Sequence, residues 1–378
     1  MECLRCGNKD PAYFYKGHRG YYCRKCVSFS RVLLEEELEK VDYEIAIGAD
    51  EYHFAYQLTH EQSKASKECL LSLKDSDVLL YCVCGAGKTE IVVESISSYL
   101  AKGLKVAYAI SRKEVVIELE KRFKEIFHNA KVIGVYGGHH DELVGDLIVC
   151  TTHQLYRYHD CFDLLILDEV DAFPLKGNAT LMNIALRSSQ GRIIFSTATI
   201  NDDLKKILKR RVYKKVELYV RPSHQPLIVP SVIYLPRLAI YLALARIMRQ
   251  TTNQCIIFVY RKKECAFLYR LFSHFFSCTY VYSDLDKREE NIRAFRDKKY
   301  AFIFSTTVLE RGITIKDIDV IIVDNARNCF DEGNLIQMLG RVGRNIDNPF
   351  GKAYILSNHH DRNIDSCIKR LEEANSYL

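Results

Sequence analysis

No apolar run in this 378-residue sequence approaches the ~18–20 residues needed to cross a bilayer. No signal-peptide pattern opens it either, because Met1 is followed almost at once by Cys3 and Cys6. Low-complexity tracts are absent. These absences exclude a membrane-spanning helix and lead to the expectation of a cytoplasmic protein, with peripheral attachment at the inner membrane left open. Proline is scarce too: seven in all, four of them crowded into residues 221–236. What is present reads as a soluble globular chain of two or three domains, 48% hydrophobic and 27% charged.

Cysteine is plentiful, at fourteen residues. Ten are scattered, several within apolar strand-like runs (Cys82, Cys150, Cys255, Cys278), and read as small buried hydrophobes in a reducing compartment. The other four form Cys3-x-x-Cys6 and Cys23-x-x-Cys26, separated by sixteen residues. Each pair spans one edge of a tetrahedron and the loop returns the second pair, so the spacing predicts a four-thiolate zinc site. So small a module has too little core to fold alone, and metal binding supplies its folding energy.

The net charge is +6, and its distribution is uneven. Residues 1–32 hold seven Lys/Arg against Glu2 and Asp10. Four thiolates and one zinc would leave a surplus of roughly three positive charges there. Such a module suits a phosphate backbone, or is simply a solvated surface. Tyr13, Phe14, Tyr15, Tyr21 and Tyr22 either pack the ribbon or stack on unpaired bases.

Residues 33–51 are acidic and read as a short helix plus linker. From 52 to 220 apolar strands alternate with amphipathic helices. Strands are predicted at 78–83, 104–110, 146–151, 163–168 and 192–197, and helices at 88–101, 112–127 and 201–210. The proline cluster at 221–236 reads as an interdomain linker without regular structure. The alternation restarts over 237–378, with strands at 254–259, 278–282, 301–305, 319–324 and 352–356. Helices are predicted at 237–250, 261–274, 285–297, 331–340 and 360–376. The fold class is therefore α/β: two domains with parallel sheets, preceded by a small zinc ribbon at 1–32.

Three strings carry chemistry. Residues 78–83 (VLLYCV) form a buried strand, followed by Cys84-Gly85-Ala86-Gly87-Lys88-Thr89 and an apolar helix. Glycines let backbone N–H groups wrap phosphates, Lys88 reaches the β/γ-phosphates, and the Thr89 hydroxyl holds Mg²⁺. The usual first glycine of this P-loop is Cys82. Residues 163–171 end a strand in Asp168-Glu169-Val170-Asp171. Asp168 is assigned to Mg²⁺ and Glu169 to polarising the attacking water. Residues 335–344 contain Gln337-x-x-Gly340-Arg341-x-Gly343-Arg344, with two arginines on one helical face or its frayed end. Arginines supplied from a second domain stabilise charge developing on the γ-phosphate, at ~10³–10⁵ in rate.

Together these strings resemble the superfamily 2 helicases, in that family's order, over most of residues 55–360. Leu58-Thr59-His60-Glu61-Gln62 is similar to the adenine-reading Q motif, with Gln62 as reader, and 85–89 to motif I. Ile110-Ser111-Arg112 resembles motif Ia, Gly137-Gly138 the GG element, and Cys150-Thr151-Thr152-His153 motif Ib. Residues 168–171 resemble motif II and Ser196-Thr197-Ala198-Thr199 motif III. Residues 256–261 resemble motif IV, Ser305-Thr306-Thr307 with Glu310-Arg311-Gly312 motif V, and 337–344 motif VI. The resemblance implies two RecA-like P-loop domains that sandwich ATP. It implies a catalytic set of Lys88, Asp168, Glu169, Gln337, Arg341 and Arg344. The ATP-binding set is Gln62, Gly85, Ala86, Gly87, Lys88, Thr89, Gly312, Arg341 and Arg344. Thr197, Ala198 and Thr199 would couple ATP to nucleic acid. Arg112, Gly137, Gly138, Thr151, Thr152, Arg261, Thr306 and Thr307 would grip the DNA backbone. The departures, Cys82, Val170 and Thr197, remove no charged catalytic group.

A four-cysteine module joined to such a motor, with 150–158 (CTTHQLYRY), Ala172-Phe173-Pro174 and Leu309-Glu310-Arg311-Gly312, resembles the ComFA family of competence ATPases. That family's usual extension ahead of the zinc cysteines is expected to be missing. The resemblance implies an ssDNA-dependent ATPase that helps take up transforming DNA with ComFC at the ComEC channel. ATP, Mg²⁺ and Zn²⁺ are the implied cofactors. A general DNA or RNA helicase similar to PriA stays open, as does a zinc-dependent DNA-binding adaptor with a vestigial ATPase.

Overall fold

The structure is a computed structural model that describes residues 1–34, 37, 38, 40–310, 315, 317–324, 329–345 and 348–378. It divides into two compact units. One comprises Met1–Cys82 and Gly87–Leu218, the other Val83–Ala86 and Tyr219–Leu378.

The first unit opens with the ribbon, whose strands β1 (Phe14–Gly17) and β2 (Gly20–Cys23) pair antiparallel. Its apolar interior is little more than the four cysteines and Phe14. Ile184, Tyr156 and Phe29 complete it.

After the ribbon, the described residues of 33–51 form no helix, contrary to the expectation. Val41 and Tyr43 both pack against the core of the unit, and a spacing of two puts side chains on one side of an extended chain, not of a helix. Between them Asp42 faces solvent and pairs with Lys105. Asp146, buried, ties the strap down: its Oδ1 accepts Ala46 N–H at 2.7 Å and its Oδ2 accepts Lys131 N–H at 2.7 Å.

The body of this unit runs α1 (His60–Ser72), β3 (Asp77–Cys82), α2 (Lys88–Leu100), β4 (Val106–Ile110), α3 (Lys113–Ile126), β5 (Val132–Val135) and β6 (Leu147–Thr151). It continues with β7 (Phe162–Asp168), α4 (Ala179–Arg187), β8 (Ser189–Thr197), α5 (Asp202–Leu208) and β9 (Tyr213–Leu218). The described strands form one parallel sheet in the order β5-β6-β4-β7-β8-β3-β9. Strands β3 and β4 are buried along their whole length, because a parallel sheet covered on both faces needs continuous apolar runs. Helix α1 was absent from the predicted set for a physical reason. Its buried side is Gln62, Ala65, Ser66, Cys69 and Ser72, small or polar residues that leave no apolar stripe. Edge strand β9 was missed too, since it buries only Val216 and Leu218.

The second unit runs β10 (Ser231–Tyr234), α6 (Arg237–Gln250), β11 (Gln254–Val259), α7 (Lys262–Phe272), β12 (Cys278–Val281) and α8 (Arg288–Arg296). Then come β13 (Phe302–Ser305), β14 (Ile318–Asp324), α9 (Glu332–Leu339), β15 (Ala353–Ser357) and α10 (Arg362–Asn375). Its described strands also form a parallel sheet, ordered β10-β15-β14-β11-β13-β12. Part of the proline-rich stretch is thus regular: Pro230 and Pro236 flank β10 rather than interrupt it, and an edge strand tolerates them. Among the described residues no helix is long and apolar enough to cross a membrane.

Replacing Asp146 by Ala leaves two backbone donors without their acceptor, at about 1–3 kcal/mol. Faster amide hydrogen exchange is expected at Ala46 and Lys131 in Asp146→Ala; unchanged protection would refute the strap.

Candidate ATP site, nucleic-acid interface and zinc ribbon

In a parallel sheet every strand delivers its following loop to the same edge, where ligands bind. In the first unit β3 leads into the P-loop, β7 ends at Asp168, β8 at Thr197, β4 leads to Arg112 and β6 ends at Thr151. Cys82, standing for the usual glycine, is still in β3 and fully buried, and burial pushes its thiol up to about 12. Gly85 and Gly87 have φ of 84° and 86°, the left-handed conformation that glycine adopts freely. A Cβ at Gly87 would collide with Gln62 Nε2, so Gln62 and the loop are packed together. Gln62 also closes the capping box of α1: its N–H donates to Thr59 Oγ1 at 3.2 Å and its Oε1 accepts Thr59 N–H at 3.0 Å. Ala86 is buried, and Lys88 and Thr89 are half-buried at the start of α2.

Asp168 is buried, and three donors hold it. Tyr108 Oη donates to Oδ2 at 2.7 Å, Ser196 Oγ to Oδ1 at 2.7 Å, and Glu169 N–H to Oδ1 at 2.9 Å. Burial raises the Asp168 carboxyl above its ordinary range, and the Lys88 charge opposes that first. Glu169 has φ of 55°, an uncommon conformation for a residue with a side chain, of the kind that clusters at functional sites. The donor set suits a divalent ion: a carboxylate and a hydroxyl, with a lysine beside them for phosphate.

The last carboxylate of the motif II string reaches motif III. Asp171 Oδ1 lies 2.8 Å from Thr197 Oγ1, and its Oδ2 accepts Thr199 Oγ at 2.7 Å. Thr197 Oγ1 also accepts Thr199 N–H at 3.1 Å. Thr197, Ala198 and Thr199 are all buried. A threonine at 197 therefore suits a position whose hydroxyl serves Asp171 and the turn at once.

The residues expected on DNA divide by exposure. Gly137 and Gly138 are exposed at the tip of a tight turn closed by Tyr136 and His139, with open space where side chains would be. Arg112 and Arg261 occupy matching places, each the N-cap residue of the helix after a strand, α3 and α7. Backbone donors at a helix N-terminus suit phosphate. Thr151, Thr152 and Thr306 are buried, and Thr307 is half-buried. Thr152 Oγ1 has no hydrogen-bond partner among the described residues.

In the ribbon Cys3 Sγ lies 3.6 Å from Cys26 Sγ and Cys6 Sγ 3.7 Å from Cys23 Sγ. All four sulfurs lie within 4.8 Å of one another. Those separations rule out disulfides, and a tetrahedron of ~2.3 Å Zn–S bonds has edges of about 3.8 Å, so the four fit zinc. How the ribbon docks is visible only in the structure. Arg187, at the end of α4, donates to Leu4 O at 3.0 Å and pairs with Glu2. Arg5 donates to Phe29 O at 2.7 Å and Ser30 O at 2.9 Å, and its guanidinium lies over the Tyr156 ring. Phe29 stacks on His153, with centroids 6.1 Å apart. The ribbon thus rests on the segment resembling motif Ib. Phe14 turns inward, whereas Tyr13, Tyr15 and Tyr21 are exposed beside Lys25, Arg24 and Lys16.

In the second unit α9 ends at Gly340, and Arg341 and Arg344 fall in the turn beyond it rather than on the helix. Arg341 is buried, and its Nε donates to Glu310 O at 3.2 Å. The Arg341 bond joins the motif V and motif VI strings, and Glu310 Oε2 also accepts Asn334 Nδ2 at 2.9 Å. Gln337 is buried and its Nε2 has no hydrogen-bond partner among the described residues. Gly312 and Arg311 lie outside the described residues. Sequence reasoning passed over Arg221. Nearly fully buried, it donates to Cys84 O at 2.9 Å, Val342 O at 2.8 Å, Gly343 O at 3.1 Å and Gly340 O at 3.1 Å. Burial, then the neighbouring Arg344 charge, lowers its pKa to about 10.

Residues 59–207 match the family model of the DEAD/DEAH box helicases, and 237–346 that of the helicase conserved C-terminal domain. A variant of Saccharomyces cerevisiae Dbp5 bound to RNA and ADP BeF3 superposes with a TM-score of 0.65 at 18% identity, over 85% of this chain and 92% of that one. Mycobacterium smegmatis helicase Lhr bound to ssDNA and AMP-PNP superposes with a TM-score of 0.62 at 14% identity, over 85% of this chain and 49% of that one. The fold is thus the expected pair of RecA-like helicase domains, and the chain is a DEAD-like, nucleic-acid-dependent ATPase/helicase of superfamily 2. It is 32% identical to the competence protein ComFA of Streptococcus pneumoniae, over 99% of this chain and 90% of that one. Identity to ComFA of Bacillus subtilis is 29%, over 99% of this chain and 85% of that one. The chain belongs to the ComFA family.

Two outcomes are expected. Tyr108→Phe removes a donor that orients Asp168, so the Mg²⁺ concentration for half-maximal ATPase should rise roughly 10–100-fold; an unchanged Mg²⁺ dependence would sink this role. Cys23→Ser should lose zinc, measured by atomic absorption, and weaken DNA binding more than basal ATPase. Equal metal content would overturn the ligand assignment.

Proposed function

We propose that this competence-associated helicase turns ATP hydrolysis into movement along single-stranded DNA, drawing in transforming DNA. The observation that carries the reading is the likeness to two ComFA proteins over 99% of this chain, ribbon included. In this reading 1–32 is the zinc finger, 33–51 a linker, 52–220 the ATP-binding domain, 221–236 the interdomain linker and 237–378 the C-terminal domain.

Backbone N–H groups of 85–89 wrap the phosphates, Lys88 neutralises them, and Gln62 reads adenine. Thr89 and Asp168 would hold Mg²⁺, which supplies charge neutralisation on the phosphates. Glu169 orients and deprotonates the attacking water. Arg341 and Arg344, with Gln337 and Gly312, act on the γ-phosphate in the ATP-bound state. Asp171, Thr197 and Thr199 pass the change at motif II to the DNA-gripping residues Arg112, Gly137, Gly138, Thr151, Thr152, Arg261, Thr306 and Thr307. ComFC and the ComEC channel are the partners that the family implies, at the inner face of the membrane.

ATPase activity with ssDNA, duplex DNA and RNA at two salt concentrations tests the reading. Stimulation should be greatest with ssDNA and fall steeply with salt, because backbone contacts release counterions. Turnover indifferent to ssDNA would refute it, and greater stimulation by RNA or duplex would favour a general helicase. Lys88→Ala should abolish hydrolysis and leave the fold intact.

A further inference from the structure

In the second unit, among residues that the ATP and DNA assignments leave unused, three side chains meet as a ligand set would. Asp324 is the last residue of β14, and His359 and Asp361 lie between β15 and α10. The two strands are neighbours with Asp324 opposite Ser357, so the sheet brings these residues together. One ligand atom from each lies within 4.8 Å of the other two.

His359 Nδ1 stands 2.7 Å from Asn358 Oδ1, an oxygen that can only accept, so Nδ1 carries the proton. The other ring nitrogen, Nε2, faces Asp324 Oδ2 and Asp361 Oδ2, 3.6 Å from each. Nε2 has no hydrogen-bond partner among the described residues, and neither has Asp324 Oδ1, although the Asp324 side chain is only 3% exposed. Ser357 Oγ lies 3.3 Å from Asp324 Oδ2 but 2.8 Å from His359 O, and its single proton suits the shorter bond. Two carboxylates that face one ring nitrogen in a buried place call for positive charge between them, which a metal ion in place of a ring proton supplies. Ligands ~2.1 Å from one metal ion stand roughly 3.0–3.5 Å apart, close to the spacing here.

We propose that Asp324, His359 and Asp361 bind a divalent transition-metal ion, of the manganese or zinc class, that pins the end of β14 to the β15–α10 connection. One imidazole and two carboxylates form a harder donor set than the four thiolates of the ribbon, so the two sites prefer different metals. The Nδ1 bond to Asn358 is the outer hydrogen bond that commonly orients a histidine ligand. Asp361 keeps a structural duty as well, since its Oδ1 caps α10 by accepting Asn363 N–H at 2.8 Å.

The test uses the full-length, nucleotide-free protein with its ribbon metal in place. Mn²⁺ is titrated and the free ion followed by electron paramagnetic resonance, since thiolates discriminate against manganese. A parallel arm measures zinc bound beyond the ribbon equivalent. One site per chain is expected, lost in His359→Ala and in Asp361→Asn, a near-isosteric change that keeps the cap. Asp168→Asn should retain the site, which separates it from the metal position beside the P-loop. Uptake of neither metal by the wild-type protein, or uptake undiminished in both variants, would overturn the proposal.

Discussion

A carboxylate buried at the end of a parallel strand needs donors aimed at it, and the first unit is arranged around that requirement at Asp168. The sheet leaves it no choice of position. Strand β7 lies between β4 and β8, so its terminal carboxylate emerges beside residues from both. Tyr108 on β4 and Ser196 on β8 are the side-chain donors that result. Neither is charged, so both hold the carboxylate without neutralising it, and Asp168 keeps its affinity for a cation. The same edge puts Thr197 and Thr199 onto Asp171. Motif II is thus bonded to two neighbouring strands and to the turn after β8.

The ribbon shows the opposite economy. It has almost no apolar interior, and its stability rests on four thiolates and on what the first unit lends it through Ile184 and Tyr156. A metal held by the four thiolates would steady more than a small appendage, because Phe29 and Arg5 pack against His153 and Tyr156 in the segment that resembles motif Ib. Such packing offers a route by which metal occupancy would bear on nucleic-acid binding without the ribbon touching nucleic acid at all. The exposed tyrosines beside lysines and arginines would add a direct route.

Legibility followed periodicity and chemistry. Strands buried on both faces, such as β3, β4 and β14, were plain as apolar runs, and the P-loop, the Asp168-Glu169 pair and the cysteine quartet were plain as spacings. Helix α1 was not, because its buried face is small and polar, and neither was the extended strap at 41–46, whose contacts alternate by two in a segment dominated by acidic charge. The proline-rich stretch reads as linker throughout, yet a strand fits between its prolines at a sheet edge.

The sequence by itself determined the class of the protein: phosphate-wrapping glycines, a strand ending in carboxylates and thiols in paired spacing are local patterns, and the chemistry needs them local. Only the tertiary structure decided which residues serve those patterns. Tyr108, Ser196, Arg221 and the Asp324–His359–Asp361 group are far from their partners along the chain. Their meeting depends on strand order and register, which hydrophobic periodicity does not encode. Each is an ordinary residue in sequence, and becomes particular only when the sheet buries it beside a charge or a carbonyl that must be satisfied.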